Sequence, residues 1–440
     1  MIRARAPNAP RCASDKTKAA MKRLVVLSDG TGNSSAKAQK TNVWRMFQAL
    51  DQTSCDQLAK YDDGVGTSSN KYLAAIGGVC GFGLKRNVID LYKFICRNYE
   101  KDDEIFAFGF SRGAFTIRVL VGLIATQGLV ASRSEQELHA NALKAYRAYR
   151  IERFPSKSPF VWIARKLRDL VLGPWTKAAR ERGVPKRFDR EQVPIKFMGL
   201  WDTVAAYGLP IDELQWGFNL LVWPMVAADR YVSPCVERAC HALALDEQRE
   251  TFAPILFDET KEPQWIREKK VQPGRLTQVW FAGVHSNIGG GYPEDGAALV
   301  SLDWMMSQAV DAGLRLRAAA MPDVANTESA YARLYDSRAG VFSYYRYSPR
   351  RIDHDSDRHP MRPIVHGSVV MRMAHGSDSY APISLPETFD VLAPDGSLIP
   401  MQGFGSGVAR PNRPIATTAI ATMMQVTRQF FIFPNPKPKQ

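Results

Sequence analysis

Four short apolar runs, each bounded by turn-forming residues, set the pattern of the chain. They span 24–28, 105–108, 194–201 and 277–283, and each has the length and apolar content of a buried strand. Apolar positions at helical spacing predict helices over about 42–50, 87–99 and 301–312, and a fourth from residue 114 onward. Strands that alternate with helices predict an α/β fold with a mostly parallel sheet flanked by helices.

The turn after the second run carries the sequence Gly109-Phe-Ser111-Arg-Gly113, which is G-x-S-x-G between a strand and a helix. A serine in such a turn presents its hydroxyl at the carboxyl end of the sheet. The helix that starts there directs backbone N–H groups and its positive dipole end toward a developing anion. We therefore predict Ser111 as a nucleophile; a tight turn that merely requires two glycines is the alternative.

Two further side chains follow later strands in the order that a Ser, Asp, His triad requires. Asp202 comes directly after the run 194–201, and His285 follows the run 277–283 within a glycine-rich segment. We predict Asp202 as the acid and His285, in a loop mobile enough to reach Ser111, as the base. A lone histidine is more often structural, but three such residues at successive strand ends favour a catalytic set.

A glycine-containing loop follows the first strand and reads Asp29-Gly30-Thr31-Gly32-Asn33. In hydrolases of this type, one oxyanion donor comes from a loop after an early strand, and the other is the backbone N–H after the nucleophile. We predict Arg112 as the second of these donors and Gly30 or Thr31 as the first. An ordinary strand-to-helix turn is the alternative for this loop.

Composition limits the remaining classes. The chain has 440 residues, 45% hydrophobic and 23% charged, which suits one large domain with insertions or two domains. It has no apolar run of about 18 residues and no apolar signal core, which predicts a cytoplasmic protein without a signal peptide or membrane-spanning helix. We expect a disordered leader over 1–22, a main domain over 23–310, an extension over 311–433 packed on that domain, and a disordered tail over 434–440.

Cysteine and histidine usage indicates neither a metal nor a cofactor. The six cysteines are scattered without C-x-x-C pairs, so reduced and mostly buried thiols are expected. Metal binding is an alternative for one histidine-containing stretch, although its spacing fits no known site. That stretch contains His354, His359, His366 and His375 together with Asp353, Asp355 and Asp357.

The net charge of +14 is concentrated in one block. Residues 144–190 contain 14 Lys and Arg against four acids, and residues 1–20 add a further +4. Within the block, a segment around 160–171 separates apolar from basic positions at helical spacing, with Trp162 near its start and Trp175 shortly after it. We interpret 140–192 as a cap insertion; an anionic membrane surface is a compatible partner. No nucleic acid is expected, because aromatic residues do not alternate with the basic ones.

Five motifs, taken in chain order, resemble a bacterial and fungal α/β-hydrolase family first catalogued as a domain of unknown function, which includes the catalytic domain of the first class of type VI secretion phospholipase effectors. They are Asp29-Gly-Thr-Gly-Asn33, Tyr61-Asp-Asp-Gly-Val-Gly-Thr67, Gly109-Phe-Ser-Arg-Gly-Ala114, Leu200-Trp-Asp-Thr-Val204 and Val284-His-Ser-Asn-Ile-Gly-Gly-Gly291. The resemblance implies an α/β-hydrolase fold and esterase-type chemistry on acyl esters, with phospholipase A activity in the characterised effectors. It also implies Ser111, Asp202 and His285 as the triad, with Asp246 as a second possible acid, and possible export by a type VI route.

Two positions depart from the family's pattern. The first motif usually has Trp where this chain has Gly32, and the last usually has Asp where this chain has Asn287. If that Asp orients the histidine, Asn287 predicts weaker activity, since a neutral amide cannot stabilise an imidazolium by charge. A catalytically idle hydrolase fold acting as a binding module is therefore one alternative, and a thioesterase or peptidase on the same fold is another.

Overall fold

The centre of the protein is a mixed sheet of nine strands. The computed structural model describes residues 21–30, 39–64, 79–153, 184–204, 230–320, 330–338, 346–354 and 361–402. The strands are β1 (Arg23–Ser28), β2 (Gln57–Asp62), β3 (Glu104–Phe110), β4 (Leu129–Val130), β5 (Lys186–Phe188), β6 (Ile195–Trp201), β7 (Val236–Ala244), β8 (Leu276–Phe281), β9 (Ile364–His366), β10 (Thr388–Leu392) and β11 (Leu398–Gln402). The main sheet has the order β11-β10-β9-β8-β7-β6-β3-β1-β2, and β4 pairs with β5 in a separate ribbon. Every neighbouring pair in the main sheet is parallel except β10 and β11.

Helices cover both faces of this sheet. They are α1 (Asn42–Ala49), α2 (Val79–Asn98), α3 (Arg112–Gln127), α4 (Glu135–Arg153), α5 (Glu262–Arg267), α6 (His285–Gly289), α7 (Gly296–Asp311) and α8 (Gly367–His375). Leu24 and Val26 of β1 pack on the side of α2, α3 and α4, whereas Val25 and Leu27 pack on the side of α1 and α7. Because both faces are buried, the central strands are continuously apolar instead of alternating.

The four strands predicted from the apolar runs are confirmed, as are the helices predicted between them. The predicted start of α2, at about residue 87, is wrong. The helix begins at Val79 and so includes part of the glycine-rich stretch 77–83. A glycine inside a helix costs only about 1 kcal/mol. The buried face of α2, which includes Leu84, Val88 and Leu91, outweighs that cost.

The far edge of the sheet comes from the last part of the described chain. Val365 of β9, Phe389 of β10 and Met401 of β11 form a third apolar cluster with Val369 of α8 and Trp280 of β8. Residues 361–402 therefore extend the main sheet by three strands. The domain boundaries given above remain a prediction.

The structure describes only the two ends of the basic block, residues 144–153 and 184–190. Residues 140–153 form the second half of α4, which buries Ala142, Tyr146 and Tyr149 against the core. Residues 154–183, with Trp162, Trp175 and the amphipathic segment, lie outside the described residues, as do the leader over 1–20 and the tail. Within the described residues, no helix is long and apolar enough to cross a membrane.

One expectation about the cysteines is wrong. Cys96, Cys235 and Cys240 are free thiols, but Cys55 is disulfide-bonded. Cys55 stands in a turn before β2 with its side chain exposed, so it lacks the burial on which the expectation of a reduced thiol rested. Its partner is not among the side chains that the structure describes.

Candidate active site

Ser111 occupies the sharp turn between β3 and α3. Its backbone has φ 58° and ψ −125°, an unusual conformation for a non-glycine residue, and its N–H donates to Trp201 O at 3.0 Å. Both flanking glycines are sterically required. A Cβ on Gly109 would lie 2.7 Å from the backbone of Ala114, and one on Gly113 would lie 2.1 Å from Ser28 O. The glycines therefore allow the start of α3 to pack against the ends of β1 and β3.

The structure brings the three predicted triad residues together. His285 Nε2 lies 2.8 Å from Ser111 Oγ, and His285 Nδ1 lies 2.6 Å from Asp202 Oδ2. All three side chains are buried, and Asp202 is fully so. They come from the carboxyl ends of β3, β6 and β8, and the parallel register of the sheet places these ends along one edge.

His285 lies in a helix with its ring packed between aromatic side chains, which corrects the prediction of a loop. It is the first residue of helix α6, and its ring packs against Phe110 at 4.6 Å and Phe252 at 5.0 Å between ring centroids. Its backbone N–H donates to Glu247 Oε2 at 3.2 Å, and Glu247 is itself paired with Arg249. Apolar packing and a carboxylate at the start of α6 therefore fix the imidazole in place.

Asp202 is surrounded by donors. Its Oδ1 accepts from the backbone N–H of Ala244 at 3.0 Å, and Arg350 donates to both oxygens, at 2.7 Å and 3.0 Å. Burial opposes ionisation of Asp202, but the charge of Arg350 and the hydrogen bonds from His285 and Arg350 outweigh it. The pKa of Asp202 therefore lies well below its usual range. Nothing in the sequence pattern singled out Arg350, because it belongs to no motif and lies 148 residues from Asp202.

A buried histidine supports the turn that carries Asp202. His241 of β7 accepts from the backbone N–H of Thr203 at 3.1 Å through Nε2. Burial, followed by the charge of Arg118, lowers the pKa of His241 to about 3, so this ring is neutral and can accept that bond at neutral pH.

Asp246, the second candidate acid, has other partners. Its Oδ2 accepts from the backbone N–H of Gly283 at 2.6 Å and from the hydroxyl of Tyr380 at 2.7 Å. Burial raises the pKa of Asp246. This carboxyl therefore joins the end of β8 to the C-terminal part of the described chain and makes no hydrogen bond with the His285 ring.

The predicted oxyanion donors differ in their surroundings. Arg112 is the first residue of α3, where backbone N–H groups point out of the helix beside Ser111. The N–H of Gly30 donates to the carboxylate of Asp29 at 2.6 Å. Thr31 and Gly32 lie outside the described residues. The Gly30 N–H thus already has an acceptor in this structure, and the donor from this loop, Gly30 or Thr31, remains a prediction.

The second motif, at the end of β2, supports the first. The hydroxyls of Tyr61 and Thr41 donate to Asp29 Oδ2 at 2.6 Å and 2.5 Å. Asp62 accepts from Ser28 Oγ and from Asn87 Nδ2. These contacts hold Ser28 and Asp29 at the end of β1, so the described residues of this motif have a structural role.

Asn287 makes no hydrogen bond with the His285 ring. Its Oδ1 accepts from the backbone N–H groups of Val284 and Tyr335, both at 3.2 Å, and its Nδ2 donates to Arg333 O at 3.4 Å. The amide therefore joins the start of α6 to residues 333–335, and its donor group has a use that a carboxylate could not serve.

The histidine-containing stretch is only partly described. His366 stacks on Phe281, His375 packs on Tyr331, and His354 pairs with Asp353. His359, Asp355 and Asp357 lie outside the described residues. Within the described chain, no group of three or more His, Cys, Asp or Glu side chains could hold a metal ion.

A mostly parallel sheet with a serine in a sharp strand-to-helix turn, and with an acid and a histidine at later strand ends, defines an α/β-hydrolase fold. Residues 22–308 match the model of the type VI secretion, Tle1-like phospholipase effector catalytic domain. That match covers more than half of the chain, and the chain belongs to this family. The resemblance inferred from the five motifs is thereby confirmed, and the family's chemistry is that of a lipase- or esterase-type hydrolase.

Individual relatives are more distant. The uncharacterized protein YEL023C of Saccharomyces cerevisiae is 26% identical over 251 residues, which are 54% of this chain and 33% of that protein. An uncharacterized protein from Pseudomonas aeruginosa is 17% identical with a TM-score of 0.37, covering 71% of this chain and 49% of that one. The Tle1 effector, solved bound to the VgrG spike, is 16% identical with a TM-score of 0.33, covering 62% and 52%. The chain thus spans about half or less of the length of these relatives.

Proposed function

We propose that this protein is a serine hydrolase that cleaves acyl esters through an acyl-enzyme, with Ser111 as nucleophile, His285 as base and Asp202 as acid. The observation that carries the proposal is the relay of two short contacts, 2.8 Å from Ser111 Oγ to His285 Nε2 and 2.6 Å from His285 Nδ1 to Asp202. These distances are within the range required for proton transfer by a general base.

Acylation would proceed in two steps. Ser111 Oγ attacks the ester carbonyl carbon as its proton passes to His285 Nε2, while Asp202 accepts the Nδ1–H and stabilises the imidazolium. The N–H of Arg112 and a second donor from the loop after β1 would stabilise the negative charge on the carbonyl oxygen. The C–O bond to the alcohol then breaks, and the alcohol leaves with the proton of His285.

Deacylation would repeat the chemistry with water. His285 takes a proton from water as the water oxygen attacks the acyl carbon, and Ser111 leaves with that proton. Membership in the family supports a phospholipid as the ester.

Charge supports a membrane as the place where the substrate is found. The net charge of +10 over residues 144–190 fits attraction to anionic headgroups. The family's description also suggests delivery by a type VI route, which would bring the protein to a target membrane. Vesicle binding tests this part of the proposal. We expect binding that increases with the anionic lipid fraction and decreases with salt. Binding insensitive to both would contradict membrane docking by this block.

The activity itself is tested with soluble short-chain and long-chain esters and with phospholipid vesicles. We expect hydrolysis by the wild type, loss of about 1,000-fold or more in Ser111→Ala, and no change in the surface variant Ser397→Ala. Cleavage of a thioester or amide in preference to an ester would assign the same site to a thioesterase or peptidase. A folded wild type that cleaves none of these would favour the binding-module alternative.

A further inference from the structure

The segment 346–354 reaches the candidate active site from outside the range 22–308 that the family model matches. It runs antiparallel to the turn after β7. Ser348 N–H donates to Gln248 O at 2.8 Å, Glu250 N–H donates to Arg346 O at 3.0 Å, and Arg249 and Tyr347 form a β-bridge. The segment is thereby fixed to the turn whose Glu247 and Phe252 contact His285.

Arg350 is the residue that this segment delivers to the site. Its Nη1 donates to Asp202 Oδ1 at 2.7 Å and to Ala244 O at 2.6 Å, and its Nη2 donates to Asp202 Oδ2 at 3.0 Å and to Phe252 O at 2.6 Å. The planar guanidinium therefore binds both carboxylate oxygens and is itself held by two backbone carbonyls. Such a two-point contact fixes the rotation of a carboxylate in a way that a single donor cannot.

We propose that Arg350 is a positioning residue that holds Asp202 in the orientation His285 requires, so that the C-terminal part of the chain completes the active site. This inference rests on the proposed triad. Asp202 has positive φ, at 35°, and directs Oδ2 to both His285 and Arg350. Arg350 thus restrains the oxygen that receives the imidazole N–H.

The same contact sets the charge balance of the site. Asp202 faces Arg350 and His285, and the other ionisable groups around this pair are His241, Asp246, and Glu247 with its partner Arg249. Without Arg350, buried Asp202 would take up a proton at higher pH, and His285 would then lose the carboxylate that accepts its Nδ1–H. This change moves the acidic limb of the pH–rate profile to higher pH.

The test compares kcat, KM and the pH profile of ester hydrolysis in Arg350→Met, Arg350→Lys and the exposed neighbour variant Arg351→Gln. We expect Arg350→Met to lower kcat about 10- to 100-fold with KM changed less than about threefold, and to move the acidic limb up by about one pH unit. Arg350→Lys keeps the charge and loses the two-point contact, so kcat falls while the acidic limb stays near that of the wild type. Arg351→Gln leaves both unchanged.

A double-variant cycle separates positioning from general stabilisation. If Arg350 acts through Asp202, adding Arg350→Met to Asp202→Asn lowers kcat by less than about threefold further. A full additional loss in that background, or wild-type kcat and pH profile in Arg350→Met, would overturn the inference. If Arg350→Met fails to melt cooperatively, it is not folded and its kinetics are not used. The test then depends on Arg350→Lys, and a wild-type kcat in that variant overturns the inference. A folded wild type inert toward esters and fluorophosphonate would instead overturn the proposed function on which the inference rests.

Discussion

The region matched by the family model and the region after it contribute to the site in different ways. Residues 22–308 carry the five motifs and supply Ser111, Asp202 and His285 from strand ends. Residues 330–402 carry no motif, yet they supply Arg350 to Asp202 and the hydroxyl of Tyr380 to Asp246. The first region places the reacting groups, and the second holds the carboxylates beside them.

This difference shows where the site is most sensitive to substitution. Ser111 and His285 are the reacting groups of the proposed triad, so their loss is expressed in chemistry. A supporting residue acts through hydrogen bonds to a buried carboxyl, so its loss is expressed in orientation and stability. Substitutions at reacting and at supporting residues should therefore differ in what they change.

The largest expected effect distinguishes the two candidate acids. Asp202→Asn should lower kcat/KM about 1,000-fold or more, because the amide cannot hold the imidazole tautomer or stabilise its charge. Asp246→Asn, whose side chain contacts Gly283 and Tyr380, should lower it less than about tenfold. Kinetics on one soluble ester provide the measurement. Equal losses in the two variants would remove the distinction drawn from the structure.

A steric prediction comes next. Gly113→Ala places a Cβ at the start of α3 only 2.1 Å from Ser28 O, a backbone atom that the pairing of β1 in the sheet holds in place. We expect the free energy of unfolding to fall by about 3 kcal/mol or more, measured by chemical denaturation. Gly396→Ala is the control, because it has positive φ but open space around it, and it should cost about 1 kcal/mol. A mild effect at Gly113 would mean that the start of α3 can move away from β1.

The second motif provides a pH prediction. Burial raises the pKa of Asp62 to about 6, above its ordinary 3.8. Folding therefore favours the protonated form, and the stability contributed by Asp62 is present below about pH 4 and is lost as the pH rises through 6. The shift corresponds to about 3 kcal/mol across that window.

Denaturation of the wild type and Asp62→Asn at pH 4 and pH 7 measures this contribution. The neutral variant should lack that pH-dependent component, while its kcat at neutral pH changes less than about tenfold because Asp62 makes no contact with the triad. Parallel pH dependences in the two proteins would show that Asp62 does not titrate in this range.

The smallest effect is expected at Asn287, where the family usually has Asp. Asn287→Asp keeps the acceptor for Val284 and Tyr335 and loses only the 3.4 Å bond to Arg333 O. We expect kcat/KM to change less than about threefold, because the side chain makes no hydrogen bond with the His285 ring. A gain of about tenfold or more would mean that a carboxylate at this position does act on the imidazole.

Sequence reasoning succeeded where local chemistry determines structure. The two glycines around Ser111 and the apolar runs before Ser111, Asp202 and His285 indicate a strand-end site without any long-range information. It failed where contacts span the chain. Arg350 resembles any other arginine in the sequence, and only the fold brings it to Asp202. Strand β7 was not predicted either. Its polar residues, which include the buried His241, interrupt the apolar run by which the other central strands are recognised.

The central claim is that Ser111 is a nucleophile activated by His285. Intact-protein mass spectrometry after incubation with a fluorophosphonate, followed by peptide mapping, tests it most directly. We predict one adduct per chain on the peptide that contains Ser111, no adduct in Ser111→Ala, and a labelling rate reduced about 100-fold or more in His285→Gln. A folded wild type that remains unlabelled, or that is labelled at another residue, would contradict the account.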